Sequence, residues 1–186
     1  MNDPAQARAA KLRMGILPDP PALFDHLTGL EHLLLVGGMH GPDRHEARAR
    51  ANELLARLDL ADAADQLVLE YSHGMKKKLG LAMAFTDRPE VLFLDEPFEG
   101  VDPVTSRVIL DLLRRFVERG GTVFLTSHVL EIVEKLCTHV GSIVQGRLRL
   151  HASLDELARE GRLEERFLAL SGRSPAGSPD LSWWTD

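Results

Sequence analysis

The stretch Val91-Leu92-Phe93-Leu94-Asp95-Glu96-Pro97 constrains this chain more tightly than any other. Four consecutive apolar residues mark a strand covered on both faces, as in a parallel sheet flanked by helices. Two acids follow at its carboxyl end, and Pro97 stops the strand at once. Open α/β sheets bind ligands beyond the carboxyl ends of their strands. Successive side chains leave a strand in opposite directions, so Asp95 and Glu96 can address two different groups. One carboxylate can hold a magnesium ion; the other can orient an attacking water or take its proton. The pair also fits the start of an ordinary polar loop.

The flanking sequence supplies the helices. Asp102 caps a helix with Pro103 at its first position, and Val104, Val108, Ile109, Leu112, Leu113, Phe116 and Val117 form its buried stripe. Gly120-Gly121 ends it. Thr122 to Leu125 reads as a second buried strand, followed by Thr126-Ser127-His128. A histidine at that point is either a cap residue or a partner for the Asp-Glu pair across one crevice. Upstream, residues 1–13 form a helical or frayed lead-in, and Met14 to Leu17 is a short apolar run stopped by Pro18, Pro20 and Pro21. Thr28 with Glu31 makes a capping box for a helix through Val36, which Gly37-Gly38 loosens. Asp43 with Glu46 repeats the device before Ala47, Ala51, Leu54, Leu55 and Leu58. A third helix begins at Ser72 and runs to about Phe85. Downstream lie a helix near residues 129–136, a hairpin turning at Gly146, and a helix capped by Ser153 and Glu156. Buried strands alternating with helices give an α/β domain with a largely parallel sheet.

Composition bounds the function. At 186 residues, 44% hydrophobic and 27% charged, the chain fits one compact domain or a large piece of one. The net charge of -6 argues against a broad nucleic-acid footprint. A single cysteine, Cys137, excludes an internal disulfide, suits a reducing compartment and reads as a small apolar helix residue. No apolar stretch approaches the ~20 residues of a membrane helix. The opening MNDPAQARAAKLR has no apolar core for a secretion signal, so work at a membrane would be done from the water side.

Tyr71-Ser72-His73-Gly74-Met75 opens the third helix. A serine hydroxyl and free N–H groups at a helix start attract anions, and Gly74 lets backbone approach a phosphate closely. An ordinary serine cap explains the same residues. Lys76-Lys77-Lys78 reads as a solvated face whose position near a helix start hints at a nearby anion.

In order, YSHGM, VLFLDEP, GVDP and TSH resemble the ATP-binding subunits of ABC transporters, over roughly residues 14–170. The resemblance implies a three-layer P-loop NTPase-like fold, a RecA-like α/β core with a helical subdomain. It implies that Ser72, His73, Gly74 and Met75 form the signature motif, which contacts ATP held by a second such domain. Asp95 then matches the Walker B magnesium ligand, Glu96 the catalytic base, Asp102 the D-loop and His128 the switch histidine. The SHGM form resembles multidrug-type exporters. ATP and magnesium are the implied cofactors. The implied partners are a membrane permease and another ABC ATPase domain, as homo- or heterodimer, with no nucleic acid. The implied location is the cytoplasmic face of the plasma membrane. Residues 15–33 resemble the Q-loop and the start of the helical subdomain, where the permease docks. Within the domain, residues 14–88 carry these and the signature, residues 89–152 the remaining motifs, and residues 153–171 a final helix. A Ser-, Pro- and Gly-rich tail, expected to be mobile, occupies 172–186. Trp183-Trp184 fits either an anchor to a partner or membrane surface or loose packing on its own domain.

Two departures qualify the resemblance. A P-loop, GxxxxGK[ST], cradles phosphates with backbone N–H groups and a lysine. None of Lys11, Lys76, Lys77, Lys78 and Lys135 stands in such a loop. In the family the P-loop precedes the Q-loop, so the Walker A portion, a central strand and the adenine platform are expected to be absent. The chain alone is then expected to bind ATP weakly or not at all and to associate through exposed sheet surface. The second departure is Asp19, where the family usually has a glutamine touching magnesium and the attacking water; Asp19 could still ligate the metal. Besides a hydrolytic subunit, two readings remain. One is a non-hydrolytic partner lending only its signature motif. The other is a soluble ABC protein of translation or DNA repair, disfavoured by the lack of basic inserts and by residues 18–33. The transported substrate is recognised by the permease and leaves no mark here.

Overall fold

The computed structural model describes residues 3–38 and 43–160. The chain divides between His128 and Val129 into two compact units. The first unit holds α1 (Pro4–Lys11), β1 (Met14–Leu17), α2 (Gly29–Gly38), α3 (Arg44–Arg57), α4 (His73–Phe85), β2 (Val91–Leu94), α5 (Pro103–Glu118) and β3 (Thr122–Leu125). The second holds α6 (Leu130–Leu136), β4 (His139–Val144), β5 (Arg147–Ser153) and α7 (Leu154–Glu160).

In the first unit β1, β2 and β3 form a parallel sheet in that order, with Leu17, Leu94 and Leu125 in register. Each chain therefore returns through helices, as parallel pairing demands. Helix α4 lies close on β1 because two glycines make room. A Cβ on Gly15 would collide with the Ala84 carbonyl, and one on Gly80 would stand 2.7 Å from Leu17 Cδ1 and 3.0 Å from Pro21 Cβ. Leu17, Leu79, Leu81, Leu92, Leu94, Ile109 and Leu113 are buried in this unit, as are Leu33, Leu55 and Leu58 from α2, α3 and the residue beyond α3. Burying each such side chain stabilises the fold by about 1.5–3 kcal/mol.

The capping box at α2 is made as the sequence requires: Thr28 N–H donates to Glu31 Oε2 at 2.8 Å and Glu31 N–H to Thr28 Oγ1 at 3.1 Å. Ser72 Oγ accepts from Met75 N–H at 3.2 Å to start α4. Asp102 Oδ1 accepts from the N–H groups of Val104 and Thr105 to start α5. In the second unit Ser153 and Glu156 cap α7 reciprocally. Gln145 and Gly146, both with positive φ, turn the β4–β5 hairpin in the shape its right-handed twist favours. Val133 and Leu157 centre that unit's core. Cys137 closes α6 rather than lying within it. The remainder of the expected final helix, the Ser/Pro/Gly tail and Trp183-Trp184 lie outside the described residues.

Several expectations are corrected. Asp43 makes no side-chain cap, and the Glu46 carboxylate pairs with Arg50 and Arg88. Gly37-Gly38 stays helical; Gly37 sits against Thr86 and Ala47, where a larger side chain would crowd. Val104 and Val117 are exposed, so the stripe of α5 narrows to its middle. The strands are covered on one face only. Ile16, Phe93 and Phe124, on the other, are 63%, 39% and 67% exposed. No residue of β3 is fully buried, and among the described residues β3 pairs with β2 alone.

Candidate functional site

The carboxyl ends of β2 and β3 bring three of the predicted residues together. His128 Nδ1 lies 3.0 Å from Glu96 Oε2. Thr126 Oγ1, one residue beyond β3, donates to Asp95 Oδ1 at 2.5 Å and accepts from Glu96 N–H at 3.1 Å. Thr126 thus joins both acids to the strand that carries His128. The parallel register produces this directly, because Leu94 and Leu125 are partners and the two strands end level. Glu96 turns away from the strand line with φ +42, a left-handed conformation that is unfavourable for a residue with a Cβ. The hydrogen bond and charge of Glu96 hold His128 above the ordinary imidazole range, with Glu99 adding to the effect.

Glu99 completes a cluster: one ligand-type atom each from Glu96, Glu99 and His128 lie within 4.8 Å of one another. Magnesium, however, takes oxygen ligands in strict octahedral geometry and keeps several waters. An exposed carboxylate such as Asp95, already oriented by Thr126, suits it better than a set containing an imidazole.

Asp19 and Asp102 are engaged elsewhere. Asp19 Oδ1 accepts from Lys77 Nζ at 2.7 Å, and that contact holds its carboxyl below the usual carboxylate range. A lysine cation at this distance repels a divalent ion from the same oxygen. Asp102 Oδ2 accepts from Thr105 Oγ1 at 2.6 Å, which likewise depresses its carboxyl, so both its oxygens serve the cap of α5. Of the YSHGM residues, Ser72 caps α4, His73 Nε2 lies 3.2 Å from the Glu99 carbonyl, and Gly74 is buried beside Asp102 and Thr105.

Three residues of this region escaped the sequence reading. Thr126 stood inside TSH, but its hydroxyl gave no periodic signal. Glu99 had none at all. Lys77 falls in the run that reads as a solvated face with Lys76 and Lys78, yet Lys77 has no exposed surface and Lys78 is buried against Asp59. Helical spacing does contain the clue: Gly74, Lys77, Leu81 and Ala84 fall on one buried stripe of α4.

The family described as ABC transporter matches residues 1–99. The chain belongs to the ABC transporter family. A daunorubicin resistance ATP-binding protein of Streptomyces coeruleorubidus is 41% identical over 155 residues, covering 83% of this chain and 49% of that protein. A human phospholipid-transporting ATPase is 41% identical over 149 residues, covering 80% of this chain and 7% of that protein. A solved ATP-binding subunit of an ABC transporter superposes with a TM-score of 0.79 at 26% identity, over 90% of this chain and 72% of that one. The P-loop NTPase fold expected of an ABC ATP-binding domain, α/β with a parallel sheet, is therefore the fold present. The chain spans about half the length of the ABC resistance protein it matches.

Proposed function

We propose that this chain supplies the hydrolytic acid pair and the signature motif of an ATPase that drives transport through a membrane permease. The observation that carries the reading is the Glu96–His128 contact at the shared end of two parallel strands. Glu96 is the group that takes a proton from the attacking water, and general-base groups of this kind contribute about 10²–10⁴-fold. His128 shares a hydrogen bond with that carboxylate and fixes its direction. Asp95 is the residue that would hold magnesium, with Thr126 setting its orientation; magnesium there would supply charge neutralisation on phosphate oxygens. Asp102 shapes the start of α5, and Asp19 serves as the counter-ion of Lys77. Ser72, His73, Gly74 and Met75 present a helix start to the phosphates of ATP bound on a second domain.

The grip on the triphosphate comes from polypeptide outside this sequence, which has no GxxxxGK[ST] loop. Phe24 and Leu35, both exposed, border an open cavity of about 400 Å³ with Asp25, His26 and Leu27. This is the surface proposed for the permease, at the cytoplasmic side of the membrane. Among the described residues no helix is long and apolar enough to cross a membrane. The resistance protein among the relatives supports export as the direction of transport.

A second reading follows from the missing loop: the chain lends only its signature motif and hydrolyses nothing itself. ATPase activity of the chain with a P-loop-bearing partner separates the two. Glu96→Gln lowering the rate ~100-fold or more supports the hydrolytic reading. Sensitivity to Ser72→Arg with indifference to Glu96→Gln supports the second.

A further inference from the structure

Lys77 lies on α4 with no exposed surface, and its Nζ reaches two acceptors at once: Asp19 Oδ1 at 2.7 Å and the Glu96 carbonyl at 2.8 Å. Lysine is almost never fully buried unless paired. What the two acceptors share is position. Asp19 stands two residues beyond the end of β1 and Glu96 two residues beyond the end of β2.

Glu96 needs restraint. Its φ of +42 is a conformation that persists only where the surroundings over-determine it. The structure provides a holder at each end of this residue: Thr126 Oγ1 on its N–H at 3.1 Å and Lys77 Nζ on its carbonyl at 2.8 Å. Between these two fixed points the side chain leaves the backbone and reaches His128 Nδ1 at 3.0 Å. The carbonyl also accepts from Glu99 N–H at 3.2 Å, so losing Lys77 removes the shorter of its two hydrogen bonds and loosens ψ of Glu96, from which the turn can relax.

We propose that Lys77 is a positioning residue for the Glu96–His128 pair: anchored by Asp19, its Nζ clamps the Glu96 carbonyl and fixes the turn from which the carboxylate meets the imidazole. The inference rests on the reading of that pair as hydrolytic, but its test needs no nucleotide. The imidazole signals of the full chain are followed by NMR against pH, with His128 assigned by their loss in His128→Ala. Glu96→Gln is the reference for a broken pair. In Lys77→Met the His128 midpoint is expected to fall by roughly half a pH unit or more, toward the Glu96→Gln value. Lys77→Arg, which keeps a donor, is expected to restore part of the shift. Should Lys77→Met fail to fold, Asp19→Asn with Lys77→Met removes both charges and is read in the same way. A folded Lys77→Met or double variant that keeps the native midpoint, while Glu96→Gln lowers it, overturns the positioning role and leaves the hydrolytic reading standing. A native midpoint in Glu96→Gln itself overturns the pair, and with it both claims.

Discussion

Glu96 and His128 are coupled through a single contact at 3.0 Å, and the coupling has a sign. The imidazole is held above its ordinary value in the folded chain by the hydrogen bond and charge of Glu96. Its contribution to stability is therefore fully present below the unfolded value near 6.5 and is lost as pH rises through the raised folded value. Thermal melts of native protein and Glu96→Gln, run in steps from slightly acid to alkaline pH, are expected to show the native advantage shrinking across that window. A constant difference would mean that the histidine does not titrate against Glu96. Depressed carboxyls run the opposite way. Asp102, held low by Thr105 and the N–H groups of α5, stabilises above its ordinary value and loses that effect as acid takes pH through the folded one.

At the scale of elements, the contact of α4 with β1 carries the most specific demand. Gly80 admits Leu17 and Pro21 to van der Waals distance, and overpacking such a contact costs about 1–3 kcal/mol. Gly80→Val is expected to lower unfolding free energy by that order in denaturant titration, with Gly38→Ala, where nothing stands within 4 Å, as the neutral comparison. Most of these elements were legible in the sequence, because their signals are local. Thr28–Glu31, Ser72, Asp102 and Ser153–Glu156 cap the helices they were read to cap. Asp43–Glu46 shows the limit of the rule. The same residue types are spaced correctly, but Glu46 pairs with Arg50 of α3 and with Arg88, three residues past the end of α4. Lys77 and Lys78 show another limit: a run of three lysines hid the two that α4 turns inward.

For the molecule as a whole, the parallel sheet has one face packed on helices and one face carrying Ile16, Phe93 and Phe124. The rings of Phe93 and Phe124 pack against each other at a tilt of 31°, with centroids 5.9 Å apart. Continuous apolar strands such as these normally have both faces covered, which is why Val91 to Leu94 read as fully buried. Sequence patterning reports the environment a strand is built for, and not how much of that environment one chain supplies. The exposed face is expected to make the chain associate at high concentration in sedimentation velocity, and substituting threonine at Ile16, Phe93 and Phe124 is expected to shift it toward monomer. Unchanged association would place the contact elsewhere. The convergence of the two strand ends was legible too, because parallel neighbours in register end level; Thr126, which links the acids, was not, since a single hydroxyl leaves no pattern.

On the proposed function, Glu96 and His128 act as one hydrolytic unit on a triphosphate held by a P-loop. Single-turnover ATP cleavage, with a P-loop-bearing partner present, tests this through Glu96→Gln, His128→Ala and the double variant. Residues acting as a unit are strongly non-additive. The double variant is therefore expected to be no slower than the more damaged single one. Losses that multiply, or cleavage untouched by either substitution, would contradict the account.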